Sequence, residues 1–296
     1  MQYDQALPAF QRIVGTGAEL EIVATDVSFG EGPVWNRRTG ELFYVSIVGD
    51  AICKYKPGVG RSIVMQPSYK ADGMTFDTEG RLVVAGWARR SVWRMEHDGS
   101  VKTLCAEYEG QKLNTPNDIV CKSDGAIYFT DPSGALYNVE MHGEDLQRYM
   151  DYHGVFRIGP DGKTTLVVKD FTYPNGLAFS PDEKILYIND TRDYLIKAYD
   201  VKADGSLANG RVFAKVTGDE PGVADGMKCD VEGNVYCTGP GGVHVWTPNG
   251  EFLGRIRIPG HCTNFGWGDA DWRGMYFTTY DSVFKLRLGI AGVAVW

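Results

Sequence analysis

The sequence predicts an all-β fold, a six-bladed β-propeller with four-stranded antiparallel blades, and three observations predict it. One motif occurs six times: a polar head, a short apolar strand, an Asp/Gly-type turn, and a second strand rich in β-branched and aromatic residues. Its heads, Glu31, Asp72, Asn117, Asn175, Asp225 and Asn264, follow one another at separations of 41, 45, 58, 50 and 39 residues, which is the spacing of propeller blades. The 37 glycines and 13 prolines are spread evenly over 296 residues. That suits many tight turns in one domain, 1-296, with no long linker.

The units justify themselves in order. They open with GEGPVWNRRTGELFYVS from Gly30, ADGMTFDTEGRLVVAGW from Ala71, PNDIVCKSDGAIYFTDP from Pro116, YPNGLAFSPDEKILYIND from Tyr173, ADGMKCDVEGNVYCTGP from Ala224 and TNFGWGDADWRGMYFTTY from Thr263. A third apolar strand follows each pair: AICKYK, SVWRME, VFRIG, LIKAYD, GVHVW and SVFKLRL. A fourth follows, often across a clean turn such as Asp98-Gly99, Asp161-Gly162 or Asn249-Gly250. The sixth unit has no outer strand, since little follows Leu288. The surplus strand ELEIVA, 19-24, is expected to complete that last blade and close the ring.

Bulk properties exclude several classes. A hydrophobic content of 43% with 12% aromatics provides for a sizeable core, and a net charge of −8 argues against nucleic acid or an anionic membrane as partner. The N-terminal stretch MQYDQALPAFQRIVG has no apolar signal-like region, and no apolar run approaches membrane-spanning length. The six cysteines form no CxxC pair, so a cytoplasmic protein with buried free thiols is expected; Cys229 and Cys237 flank one hairpin and could face each other.

Asn175 raises the functional question. Asn-Gly between apolar runs is a strong hairpin signal, yet the turn here is supplied downstream by Ser180-Pro181-Asp182-Glu183. Asn175 instead occupies the position where the other units carry Glu, Asp or Asn, at the start of the innermost strand, aimed at a narrow channel. A single such head would read as an Asx turn. Four together, Glu31, Asn117, Asn175 and Asp225, do not, because Glu31 is too long for that turn. Asp72 and Asn264 read as structural. Converging carboxylates repel and are costly to desolvate, which a cation relieves. The all-oxygen set points to one divalent ion, Ca²⁺ first, with Mg²⁺, Mn²⁺, Zn²⁺ or Fe²⁺ as alternatives.

The second strand of each unit returns to the same side, so Ser46, Trp87, Asp131, Asp190, Thr238 and Tyr280 are expected around the mouth. His261 is the one histidine placed near it. The insert 136-154 accounts for the longest separation and could cover the mouth as a lid. No GxSxG elbow, HExxH or phosphate-binding glycine loop is present.

FGEGPVW, NTPNDIVCKSDGAIYFTDP, YPNGLAFSPDEKILYINDT, ADGMKCDVEGNVYCTGPGGVHVW and GRIRIP together resemble the gluconolactonase/regucalcin family of six-bladed propellers, on its bacterial gluconolactonase-like branch, from about Phe29 to Leu288. The resemblance implies that Glu31, Asn117, Asn175 and Asp225 surround one divalent metal. It implies a hydrolase that opens a sugar lactone with metal-activated water, with Glu31 and Asp225 catalytic and Asp225 acting as base or nucleophile. Trp87, Thr115, Asn117, Asp131 and Tyr280 are the substrate-contact candidates. An organophosphate hydrolase on the same metal, and a ligand- or protein-binding propeller with a structural ion, are the alternatives. Three departures from the family pattern, at Ala85-Gly86-Trp87, Ser46 and Thr115, fall around the mouth and none on the four ligands. They bear on which lactone is taken, not on the metal chemistry.

Overall fold

The computed structural model describes residues 3–15, 19–138 and 140–295. Six sheets follow one another around an axis. Blade one is Gly30–Asn36, Glu41–Ser46, Ala51–Lys56 and Gly60–Met65; blade two is Ala71–Phe76, Leu82–Gly86, Ser91–Met95 and Val101–Cys105. Blade three is Ile119–Cys121, Ile127–Asp131, Gly154–Ile158 and Thr164–Val168; blade four is Pro174–Phe179, Ile185–Asp190, Leu195–Val201 and Leu207–Lys215. Blade five is Met227–Cys229, Val235–Gly239, Gly242–Trp246 and Phe252–Arg257; blade six is Cys262–Gly268, Gly274–Thr279 and Val283–Arg287. All neighbouring strands within a blade run antiparallel, and the outer strand of blade six is the N-terminal Glu21–Ala24, paired through Glu21↔Lys285 and Ile22↔Phe284.

The core is divided rather than central. Six apolar clusters are each wedged between two adjacent blades, for example Val34, Val45 and Ile52 of blade one against Met74, Val84 and Trp93 of blade two. The other five wedges repeat this around the ring. Alternation along the strands feeds them, because one face of every sheet meets the previous blade and the other face the next.

Two features were not legible beforehand. Tyr3–Gln5 adds a fifth strand to blade five, with Asp4 ion-paired to Arg255 and Arg257. The short helix Phe10–Val14 then buries Phe10, Ile13 and Val14 in the wedge between blades five and six. One expectation is corrected: Cys229 pairs across the hairpin with Val235 and Cys237 with Met227, so the two thiols are not opposite each other. All six cysteines are free, five of them buried. The Ser180 turn closes as read, Glu183 N–H donating to Ser180 O at 2.8 Å. Among the described residues no helix is long and apolar enough to cross a membrane.

Candidate active site

Backbone irregularity aims the heads. Bulges interrupt the pairing of the two inner strands between Glu31 and Val34, Ala71 and Met74, Pro174 and Leu177, and Cys262 and Asn264. In blades three and five the inner strand begins only at Ile119 and Met227, two residues past Asn117 and Asp225. Every head therefore leaves the regular pleat, which frees its side chain to turn toward the axis. The glycines that follow them are needed for close approach. Gly32 has φ 56°, and a Cβ there would lie 2.3 Å from Asp72 O; a Cβ on Gly176 would lie 2.0 Å from Asp225 O. The backbone of one head closes directly on the next.

Glu31, Asp72, Asn117, Asn175 and Asp225 face one cavity of ≈ 230 Å³, walled by Phe29, Trp87, Tyr173, Thr191, Val223, His261 and Tyr280. Hydrogen bonds set which atoms point inward. Asn117 Nδ2 donates to Asp72 Oδ2 at 2.8 Å, and Asn175 Nδ2 to Thr191 Oγ1 at 3.1 Å, so both amide oxygens are left as the uncommitted acceptors. Glu31 Oε2 accepts from Gly32 N–H at 2.8 Å and from Asn264 Nδ2 at 2.9 Å, which leaves Oε1. The Asp225 loop is held from behind by Asn189 Nδ2, which donates to Asp225 O at 2.6 Å, and by Thr238 Oγ1, which accepts from Asp225 N–H at 2.9 Å.

The electrostatics are those of charge in want of a counter-ion. Burial pushes Glu31 up to about 7, with the nearby Asp118 carboxylate adding to the shift and Gly32 N–H and Asn264 opposing it. Burial likewise drives Asp72 and Asp225 well above the ordinary carboxylate range, and the Glu31 charge drives both further. Asp118, which the motif reading passed over, lies just inside the ring; its Oδ2 has no hydrogen-bond partner and stands 3.8 Å from Lys228 Nζ. Lys228 is the one cation among these groups, and it draws Glu31, Asp118 and Asp225 downward.

No three His, Cys, Asp or Glu side chains among the described residues form a metal cluster by themselves. The oxygens available to an ion here are the amide oxygens of Asn117 and Asn175 together with Glu31 and Asp225. An all-oxygen set of carboxylates and amides, with one lysine against four acids, suits a hard divalent cation.

The expected mouth residues divide. Trp87 and Tyr280 line the cavity, and so does His261, stacked on Tyr280 at 4.6 Å with Tyr280 in turn 4.6 Å from Phe29. Thr115 and Asp131 do not line it. The Thr115 hydroxyl donates to Pro132 O, and Asp131 Oδ2 accepts from Asn114 N–H at 2.8 Å. Ser46, Asp190 and Thr238 are braces of the same kind: Asp190 alone accepts from the backbone N–H of Thr172, Tyr173, Arg192 and Asp193. A buried carboxylate at a strand end saturates the loop that carries the head of its own blade, a role strand position alone does not distinguish from lining a pocket.

The insert, apart from residue 139, which lies outside the described residues, lines no part of the cavity. It is strapped to blade two by Arg90, which donates to Asp145 O and Gln147 O, and its Met141 packs in the wedge with Trp87. Missed entirely were Phe29, Tyr173, Thr191 and Val223; Phe29, Tyr173 and Val223 each stand two residues before a head, which was the available signal. At the channel's other end Val293, Ala294 and Val295 cover an apolar pocket, the chain being held there by Val231 N–H to Ala291 O. A wider groove of ≈ 830 Å³ beside the mouth shares His261 but carries no converging set of acids.

The chain is 32% identical over 270 residues to the gluconolactonase of Zymomonas mobilis, covering 84% of this chain and 75% of the relative. It is 29% identical over 269 residues to the regucalcin of Xenopus laevis, covering 87% and 85%. The solved structure of a gluconolactonase from Xanthomonas campestris superposes with a TM-score of 0.90 at 29% identity, covering 97% of this chain and 95% of that one. The SMP-30/Gluconolactonase/LRE-like region family matches residues 29–281, and the chain belongs to that family.

Proposed function

We propose that this protein is a divalent-metal-dependent lactonase that hydrolyses a sugar lactone. The observation that carries this reading is the convergence of Glu31 and Asp225, from blades one and five, with the uncommitted amide oxygens of Asn117 and Asn175 on one small open cavity. Its size, ≈ 230 Å³, suits a single sugar ring. The similarity to gluconolactonases supports the substrate class, and the similarity to regucalcin supports a divalent ion.

Glu31, Asn117, Asn175 and Asp225 would hold the ion, Ca²⁺ being the first choice for this donor set. When bound, a divalent cation supplies Lewis acidity at the lactone carbonyl. The chain's own groups do the rest. An Asp225 carboxylate oxygen accepts a proton from the water that attacks the carbonyl carbon, and returns it to the ring oxygen as the C–O bond breaks. Glu31, fixed through Oε2 by Asn264 and Gly32, keeps its other oxygen directed at the same point. Trp87 and the Phe29–Tyr280–His261 stack offer apolar faces to the sugar's C–H groups.

The test is acid release from a panel of aldonolactones and one fluorophosphate, with and without chelator. Chelator-sensitive opening of lactones supports the proposal. Turnover of the fluorophosphate alone would favour an organophosphate hydrolase, and no turnover of either would favour a binding propeller.

A further inference from the structure

Resting on the lactonase reading, we propose that the lactone ring is the end unit of a disaccharide, and that the groove beside the mouth seats the second, neutral sugar along the top of blade five, with His261 between the two rings. The cavity of ≈ 230 Å³ suits one ring, whereas the groove offers ≈ 830 Å³, and His261 lines both. Two loops wall the pair of them. Loop 220–223 gives Glu220 and Pro221 to the groove and Val223 to the cavity; loop 258–261 gives Pro259 to the groove and His261 to both. The groove runs inward from Arg257, which ends the outer strand of blade five, over Gly241 in the hairpin between the second and third strands, to His261 at the entry to the inner strand of blade six. A blade is three inter-strand spacings wide, about 14 Å, which is longer than one sugar ring.

The walls are already in place. Gly241 N–H donates to Pro221 O at 2.9 Å, Arg255 Nη1 donates to Pro240 O at 2.8 Å, and Ile258 is buried in the wedge between blades five and six. Gly241 has φ 77°, and a Cβ there would lie 2.4 Å from Glu220 Oε2, so the floor passes under Glu220 without a side chain.

The chemistry of the lining suits a neutral polyol. Asp4, Glu220, Arg255 and Arg257 close a ring of four ion pairs, two acids against two guanidiniums, so the groove presents no net charge to a charged tail. Polar capacity is nonetheless left over. Arg257 spends Nε on Asp4 Oδ1 at 3.0 Å and Nη1 on Glu220 Oε1 at 2.9 Å, which leaves Nη2. His261 lies flat on Tyr280, with 7° between the rings, and among the described residues neither of its nitrogens has a hydrogen-bond partner. Its edge therefore offers one donor and one acceptor at the point where cavity becomes groove. An apolar tail would leave these groups unpaired; hydroxyls on two linked rings engage them, with the carbonyl of the first ring over Glu31 and Asp225.

The experiment compares kcat/KM of metal-loaded protein for δ-gluconolactone with that for cellobiono-δ-lactone and lactobiono-δ-lactone, in which the same ring carries a second hexose on its 4-oxygen. Wild type is expected to favour the disaccharide lactones by about tenfold or more, mainly through KM. His261→Phe keeps the ring and loses both nitrogens, and is expected to cut that ratio about tenfold. Pro259→Trp fills the groove with an indole and is expected to bring the ratio near one; Arg257→Met serves in its place if that variant does not fold. Arg211→Met, on the outer strand of blade four, is expected to change the ratio less than about twofold. A wild-type ratio of one or below, or a ratio unchanged by blocking the groove, overturns the proposal. If none of the lactones is opened, the lactonase reading fails separately. Cellobiose titrated calorimetrically into wild type and the groove variant then decides: weaker binding by the variant upholds the second-sugar groove, and equal binding, or none by wild type, overturns it.

Discussion

Removing divalent ions should make this protein less stable as the pH rises through the weakly acidic range. Glu31, Asp72 and Asp225 all have folded-state pKa values raised above those of the unfolded chain, chiefly by burial. A raised carboxylate binds its proton more tightly in the native state, so between the unfolded and folded pKa the native protein holds more protons and stability falls with increasing pH. The window for Glu31 runs from 4.5 to about 7. At about 1.4 kcal/mol for each pH unit, that shift from 4.5 to about 7 amounts to roughly 3 kcal/mol, and Asp72 and Asp225 act in the same direction. For a chain of this size a loss of that order lowers Tm by roughly 6 °C. A cation favours the ionised forms and reverses the trend, adding about 2.7 kcal/mol at a hundredfold excess over its Kd. The assay is thermal unfolding at pH 5 to 7.5 in chelator, repeated with calcium, magnesium, manganese and zinc. A Tm in chelator that is flat or rising over that window, and unmoved by every cation, would refute the counter-ion argument.

Asp225→Asn should lower kcat by at least about 10²-fold, while raising the Tm of the metal-free protein at pH 7.5, because one buried charge is gone; kinetics and unfolding on the same sample check both. Asn264→Ala should weaken cation affinity on the order of tenfold by releasing Glu31 Oε2, read by calorimetric titration. Trp87→Ala should cost about 3–5 kcal/mol of stability, since Trp87 is only 7% exposed and packs with Met74 and Met141, and should also raise KM because the same ring walls the cavity. A raised KM with unchanged stability would place Trp87 at the mouth alone.

What the sequence made legible follows from what repeats. Four strands and a head recur in each unit, so the period and the polar position survive variation, and the six-fold count follows from it. The direction of the heads follows in the sequence only from their shared place at the start of each innermost strand, but what turns four of them is a bulge, and a bulge has no period. Gly32, Gly73 and Gly176 were its trace. Features that occur once had no such support. Tyr3–Gln5 pairs across 251 residues with Phe252–Arg257, and nothing local in YDQ announces a strand. Asp131 and Tyr280 end equivalent strands, yet one braces Asn114 and the other walls the cavity. That difference depends on the loop each faces, which strand position does not encode. Lys228 and Asp118 were hidden for the opposite reason, each reading as an ordinary charge on a hairpin strand.

Blade six explains why a six-fold architecture need not make a six-fold site. Asn264 occupies the position of the other heads, but its atoms are spent: Nδ2 on Glu31, Oδ1 on Phe265 N–H at 2.9 Å and, more weakly, on Lys228 Nζ at 3.5 Å. It has no free oxygen for a cation, and it does not line the cavity. What it does is span from blade five to blade one, with Thr263 beside it donating to Gly30 O across the same seam. This is the seam where the chain closes on itself, through Glu21–Ala24 on Val283–Arg287 and Gly289 N–H on Ile13 O. A ligand set drawn from different blades has its spacing set by blade packing, and the one joint made from distant parts of the chain is the joint most able to vary. Using the sixth head as a strut between Glu31 and its neighbours, with no free oxygen for a cation, ties the separation of Glu31 and Asp225 to that joint.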